Sequence, residues 1–370
     1  MSRPQIIVNV TAALPRRGAP TATGTAFFAF AGATGPTDPL RCLSAQEAET
    51  AGAPANIVSW VGDALTEGAP EVVIVRAAAV DPVAVTEAEW TAALGKFTDG
   101  FGPGQVLIPG VDDATAHAAL IAHSAATGRT VLLDGAVDAT ATELTAIATG
   151  LAAADGAVRG GLIAPWVPVP APANTTRDVP GSVMAAGLVA RGDATVGHAN
   201  NAPVFDQGRG AGVVNHGVGV TTAFTNAELD TLHDAGVSVI REVLGVPTLA
   251  GWVALSDDDR FHQLNAGRMS MQLGVGIQAA AGQFLGRQID GRGLLFAELG
   301  GALRGYLLPL WNAAALYGAT ADEAFDAEVA GVNTPASIAA GELHAAVEVA
   351  LTPHTERVVI DVVTSIAQGA

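Results

Sequence analysis

The residues able to do chemistry are few, and their spacing argues against catalysis. Lys96 is the single lysine, in Leu94-Gly95-Lys96-Phe97. A phosphate-cradling loop places a Ser or Thr hydroxyl directly after its lysine, on the magnesium ion, and Phe97 cannot supply one. Gly208, Gly210 and Gly212 cluster without the G-x-G-x-x-G spacing and without a preceding strand, so they read as loop flexibility. There is no G-x-S-x-G elbow to expose a serine nucleophile and no H-E-x-x-H pair to hold zinc. His117 and His123 stand six residues apart on an expected helix, off a shared face. Asp257-Asp258-Asp259 could gather a cation, but it precedes a helical segment, where carboxylates complement the helix dipole. Cys42, the only cysteine, has no identifiable base beside it and reads as a small buried apolar residue. No catalytic, cofactor-binding or metal-ligating residue is assigned, and no cofactor is expected.

Composition narrows the field further. The 370 residues carry 18 basic and 36 acidic side chains, a net charge of −18. No basic run is present, which disfavours nucleic acid and anionic membranes as partners. One cysteine excludes an intrachain disulfide. Met1–Val10 lacks the basic region and long apolar core of a secretory leader. The longest uncharged stretches, Met269–Gly286 and Gly305–Ala321, are broken by Gln, Asn or Pro and read as buried helices, not membrane spans. A soluble chain made and kept in the cytoplasm is expected. Charged residues make up only 15%, against about 25% in ordinary soluble proteins. Either the core is large, or neighbouring subunits cover much of the surface, or the composition reflects a GC-rich genome.

The elements that would position any site alternate strand and helix in the first half. Thr25–Ala31 is an apolar strand, Asn56–Thr66 a helix and Glu71–Arg76 a strand. Ser44/Glu47, Thr86/Glu89 and Thr140/Glu143 have capping-box spacing. Strands are expected at Gln105–Pro109, Thr130–Asp134 and Gly160–Ala164, with an Ala-rich helix at Asp112–Thr127. This rhythm predicts a parallel sheet covered by helices. Pro165–Ala173 reads as an extended connector, Pro180–Ala190 as a helix and Gly192–Gly219 as a long ordered loop. Further on, Thr225/Glu228 caps a helix and Val237–Val243 and Ala250–Leu255 are strands. Asp257–Leu285 and Leu294–Tyr317 are two long helices, Thr320/Glu323 caps a short one, and Leu343–Leu351 is a strand. Short apolar strands close both ends: Ile6, Val8 and Val10 share one face, and Val358, Ile360 and Val362 another.

The second half resembles the contractile tail sheath proteins of phage tails and phage-tail-like injection systems. The resemblance rests on Phe224-Thr225-Asn226-Ala227-Glu228-Leu229 running into Ala235-Gly236-Val237-Ser238-Val239-Ile240-Arg241, on Gly251-Trp252-Val253-Ala254-Leu255-Ser256, on Gly318-Ala319-Thr320-Ala321-Asp322-Glu323-Ala324-Phe325, and on Asn333-Thr334-Pro335 with Ile338, Gly341 and Leu343. Pro165-Trp166-Val167-Pro168-Val169-Pro170 and Val179-Pro180-Gly181-Ser182 add to it in the same chain order. Val237-Ser238 stands where the family usually has Ile-Asn, and Gly286–Asp290 departs from the family's turn between the long helices.

The resemblance implies an N-terminal arm (1–22), an outer α/β domain (23–175), an inner α+β sheath domain (176–352) and a C-terminal arm (353–370). It implies a structural, non-enzymatic subunit that polymerises with itself as helically stacked six-subunit rings around an inner tail tube protein. Baseplate and tail terminator proteins would close the ends, and contraction would drive the tube through a target envelope. Assembly would take place in a bacterial host's cytoplasm, into a virion tail or contractile particle. Ile6, Val8, Val10, Val358, Ile360 and Val362 would then be inter-subunit strands that pair with neighbouring subunits. The rival reading is a soluble α/β enzyme or nucleotide-binding module.

Overall fold

A computed structural model describes residues 22–77 and 81–356. Along the chain run β1 (Ala26–Phe30), β2 (Leu40–Cys42), α1 (Ala45–Thr50), α2 (Ala55–Glu67), β3 (Val72–Arg76), α3 (Glu87–Leu94), β4 (Gln105–Leu107), α4 (Ala114–Thr127), β5 (Thr130–Asp134), α5 (Ala141–Leu151) and β6 (Gly160–Ala164). Then come β7 (Val167–Ala171), β8 (Thr175–Val179), α6 (Gly181–Val196), α7 (Asn226–Asp234), β9 (Val237–Val243) and β10 (Val246–Leu249). The last part holds α8 (Leu264–Gly282), α9 (Leu294–Asn312), α10 (Ala321–Ala324), β11 (Phe325–Glu328), α11 (Pro335–Ala339) and β12 (Ala346–Val349).

One eight-stranded sheet, in the order β10-β9-β6-β5-β4-β1-β3-β2, organises most of the chain. Its inner strands are parallel, and β2 and β10 join antiparallel at the two edges. A parallel sheet is buried on both faces, so its strands must be apolar throughout. In β1, Ala26, Phe28 and Phe30 point to the core that holds α2 and α6; Phe27 and Ala29 point to the core beneath α3 and α4. The β9–β10 hairpin turns through Leu244 and Gly245, at φ 52° and 80°. Positive φ at both central residues is the turn geometry that matches strand twist.

The sheet does not stop at residue 175. β9 lies parallel beside β6, with Leu162 paired to Val237, and α6 packs into the same core as α2. The boundary expected at 175/176 falls within β8, just after the Pro-rich stretch read as a connector. In the structure that stretch is a hairpin arm: Pro168 and Pro170 sit in β7, opposite Asp178 and Thr176 of β8. Extended backbone is what proline enforces, whether or not a strand pairs with it. Residues 197–225 pass from α6 to α7 through turns and bends, bridged at Val213 to Thr248.

The remaining residues form a second unit. Helices α8 and α9 pack together, with Tyr306 Oη donating to the Gln272 carbonyl at 3.0 Å. Gly276 leaves room for the Tyr306 ring, which a Cβ at that position would displace. Met269, Leu273, Leu307, Leu310 and Phe325 close one small core, and Phe284, Leu295, Leu299 and Leu303 another. Among the described residues, strands β11 and β12 pair only with each other, Phe325 opposite Val349. Helix α8 begins at Leu264, not Asp257; Val253 instead bridges to Gln263, and Asp258 caps a short turn by accepting from the Arg260 amide. That bridge also stands where Ala250–Leu255 reads as a full strand.

Candidate functional site: a polar seam at the roots of both chain ends

The six arm residues, Ile6, Val8, Val10, Val358, Ile360 and Val362, lie outside the described residues. The places where the chain leaves toward them are described, and both lie on one buried polar seam. At its centre the Arg268 guanidinium of α8, fully buried, donates to both carboxylate oxygens of Asp193 on α6 at 3.0 and 2.6 Å. Thr23, near the first described residue, donates its hydroxyl to the same carboxylate, and its carbonyl accepts from Gln105 at 2.8 Å. Arg268 also donates to the Ala199 carbonyl at 3.2 Å. One residue on, the Asn200 amide donates to the Ala315 and Thr352 carbonyls at 2.8 and 2.9 Å and accepts from Asn265 at 2.7 Å. Gln263 brackets His354, accepting from its amide at 3.1 Å and donating to its carbonyl at 3.0 Å. The N-terminal root, the sheet unit, the helix pair and the C-terminal root are thus joined through a handful of side chains.

A buried ion pair holds only if its charges stay matched, and removing one partner costs about 3–5 kcal/mol. Here the Arg268 Nε has no partner, so the seam is strong but not fully satisfied. Sequence reasoning missed Asp193, Asn200 and Arg268. The available signal was Arg268 itself, a lone charge inside a long apolar helix, which must find a counter-charge when buried.

A second polar cluster orders the long connection after α6. Glu67, fully buried on α2, accepts from the Asn215 amide at 2.8 Å and from His216 Nδ1 at 2.6 Å. Asp63 takes Arg177 of β8 through two bonds of 2.6 Å, and His216 Nε2 at 3.1 Å. Hydrogen bonds to Asp63 and then to Glu67 raise the His216 pKa to about 9, so the imidazole is charged at neutral pH. Burial would raise the Asp63 pKa, but the His216 and Arg177 hydrogen bonds hold it below the usual carboxylate value. Arg191 of α6 joins Glu67 at 3.3 Å and the Val213 carbonyl at 2.7 Å.

One cluster has the residue types of a hydrolase. Asp134 ends β5 and accepts from the Ser182 hydroxyl at 2.6 Å, the Ser182 amide at 2.9 Å and the Gly110 amide at 3.0 Å. Burial pushes the Asp134 carboxyl up to about 6 against those donors. The connectivity is wrong for a nucleophile. Ser182 gives its proton to Asp134, not to a histidine, and His117 bonds the Asp134 backbone carbonyl at 3.0 Å. Ser182 is also fully buried. Asp134 is an anchor for the N-terminus of α6, satisfying a free amide of its first turn. Cys42 is buried, with its thiol pushed up to about 11 by burial and then by Glu47, a poor nucleophile.

No family model matches the sequence, and no curated protein matches it. Solved structures do. The chain superposes with a TM-score of 0.78 at 16% identity, over 100% of both chains, on a component of the anti-feeding prophage baseplate in the contracted state. It matches the contracted helical sheath of the same particle at 0.74 and 20% identity, covering 99% of this chain and 100% of that one. A sheath tail protein from Desulfitobacterium hafniense matches at 0.58 and 12%, over 88% and 93% of the two chains. Among the described residues no helix is long and apolar enough to cross a membrane. This chain has the fold of a contractile sheath protein.

Proposed function

We propose that this chain is a sheath subunit of a contractile tail or injection particle, and that its role is structural. Copies of it would stack as six-subunit rings around an inner tube and rearrange to drive that tube into a target. Baseplate and terminator proteins would meet the two ends of the polymer. The observation that carries this reading is likeness over 99% of this chain and 100% of the other to the contracted helical sheath of the anti-feeding prophage.

Two local features support it. The β11–β12 ribbon is a two-stranded sheet on the outside of the helix pair, with both outer edges open among the described residues. Such a ribbon is marginal alone and a template for added strands. The terminal segments beyond the roots, with Ile6, Val8 and Val10 on one face and Val358, Ile360 and Val362 on another, would suit that role as added strands. Paired to a neighbour's ribbon, those strands gain main-chain hydrogen bonds and bury their apolar face. The rival enzyme reading would need a free nucleophile or base in a cleft, and the Asp134–Ser182–His117 connectivity offers neither.

Deletion of residues 1–20 or of residues 357–370 tests the reading. Each truncated subunit should keep the circular dichroism of the full chain yet form no tubes in electron micrographs. Tubes from both truncations would refute the strand exchange; a discrete small oligomer from the full chain would refute the sheath role.

A further inference from the structure

Three side chains from distant parts of the chain converge where the C-terminal root ends. His233 lies in the last turn of α7, His262 follows the short turn before α8, and Glu356 is the last described residue. One ligand atom from each lies within 4.8 Å of the other two. The two imidazoles meet edge to face, 5.3 Å between ring centres. Gln263 donates to one Glu356 oxygen at 2.7 Å, which orients the carboxylate and leaves the other oxygen available. His233 and Glu356 also line an open cleft of about 440 Å³, together with Trp252 and Asn265. Trp252 is 4% exposed and Asn265 2% exposed, and among the described residues neither the Trp252 indole Nε1 nor the Asn265 Oδ1 has a partner. Buried polar atoms rarely stay unpaired, so the cleft is suited to a hydrated guest.

We propose that His233, His262 and Glu356 form a binding site for one zinc-class divalent cation. Two imidazole nitrogens and one carboxylate oxygen are the donor set of a zinc site with one position left for water. Calcium and magnesium prefer shells of oxygen alone, and a thiolate-seeking ion finds no sulfur here. The Gln263 hydrogen bond serves as the outer support that fixes a ligating carboxylate. An ion so held ties the C-terminal root to α7 and to the entrance of α8. This departs from the sequence expectation of no metal, because no local spacing could reveal ligands drawn from three separate segments. The proposal stands apart from the sheath reading, since it concerns only the chain's own fold.

The test uses the full-length chain, stripped with a chelator and titrated with Zn²⁺, Mg²⁺ or Ca²⁺. Calorimetry should give one Zn²⁺ per chain, the unfolding midpoint should rise with Zn²⁺ alone, and X-ray absorption should report two imidazole ligands. His262→Ala and Glu356→Gln should each weaken Zn²⁺ binding by roughly tenfold or more. His344→Ala, at an exposed histidine elsewhere, should leave it unchanged. Glu356 is exposed, so its variant should remain folded by circular dichroism even if His262→Ala does not. Absence of stoichiometric Zn²⁺ binding, or binding that survives Glu356→Gln undiminished, overturns the site.

Discussion

Replacing Arg268 with methionine puts the polar seam to a quantitative test. The guanidinium is fully buried and Asp193 only 6% exposed, so neither charge can turn to water. Methionine keeps the aliphatic volume but leaves the Asp193 carboxylate with the Thr23 hydroxyl as its remaining side-chain donor. An unpaired buried carboxylate costs about 3–5 kcal/mol. The orphaned Ala199 carbonyl adds about 1 kcal/mol. The sum, about 4–6 kcal/mol, is a large part of the ~5–15 kcal/mol that holds a typical domain folded. Urea unfolding of the dilute full-length chain, followed by tryptophan fluorescence, reads the change directly. Arg268→Met combined with Asp193→Leu should recover all but about 1–2 kcal/mol, because an apolar pair of similar volume replaces a buried ion pair at little cost. A loss below ~1 kcal/mol in the single variant, or a double variant as unstable as the single, would refute the reasoning.

Other outcomes follow from the same structure. Stability should fall as pH rises from 6.5 toward 9: the folded state holds the His216 proton up to about 9, so its contribution is complete below 6.5 and gone above 9. The full shift would be worth about 3 kcal/mol, and partial exposure of the ring reduces that to ~1–2 kcal/mol; His216→Asn should flatten the pH profile of the melting temperature. Gly267→Ala places a Cβ 1.9 Å from the Val158 carbonyl, so α8 must shift off the sheet unit; denaturant titration should register a loss of about 1–3 kcal/mol. Thr225→Ala removes one half of a formed capping box and should cost about 1 kcal/mol by the same measurement, with no change in assembly.

The first half of the fold was readable in the residues. Unbroken apolar runs such as Ala26–Phe30 announce strands buried on both faces, and the boxes at Thr86, Thr140 and Thr225 formed where their spacing placed them, while at Thr320 only the Glu323 half formed, accepting from the Thr320 amide. Ser44 is the exception; Glu47 instead accepts from the Leu43 amide, one residue before the expected cap. The sheet's continuation into β9 was hidden because pairing across the sheet leaves no local signature. Strand β2, three residues long, is too short to show a period. The seam was illegible for a related reason. Asp193, Asn200 and Arg268 are ordinary residues in sequence, and only the packing of α6 against α8 makes them partners.

The shared rooting of both chain ends has a mechanical meaning. Tension applied at residue 22 and at residue 356 enters the subunit at Thr23 and leaves at Glu356. A side-chain route between them runs through Asp193, Arg268, Asn200, Gln263 and His354, while Thr23 also bears on the eight-stranded sheet through its carbonyl, which accepts from Gln105 of β4. Side-chain bonds along that route lie in series, so each carries the same load and the weakest of them sets the limit. The sheet and its helices are joined to this line at Thr23 and Asp193. A subunit wired this way, pulled by its ends, passes load between the sheet unit and the helix pair through the buried Asp193–Arg268 pair.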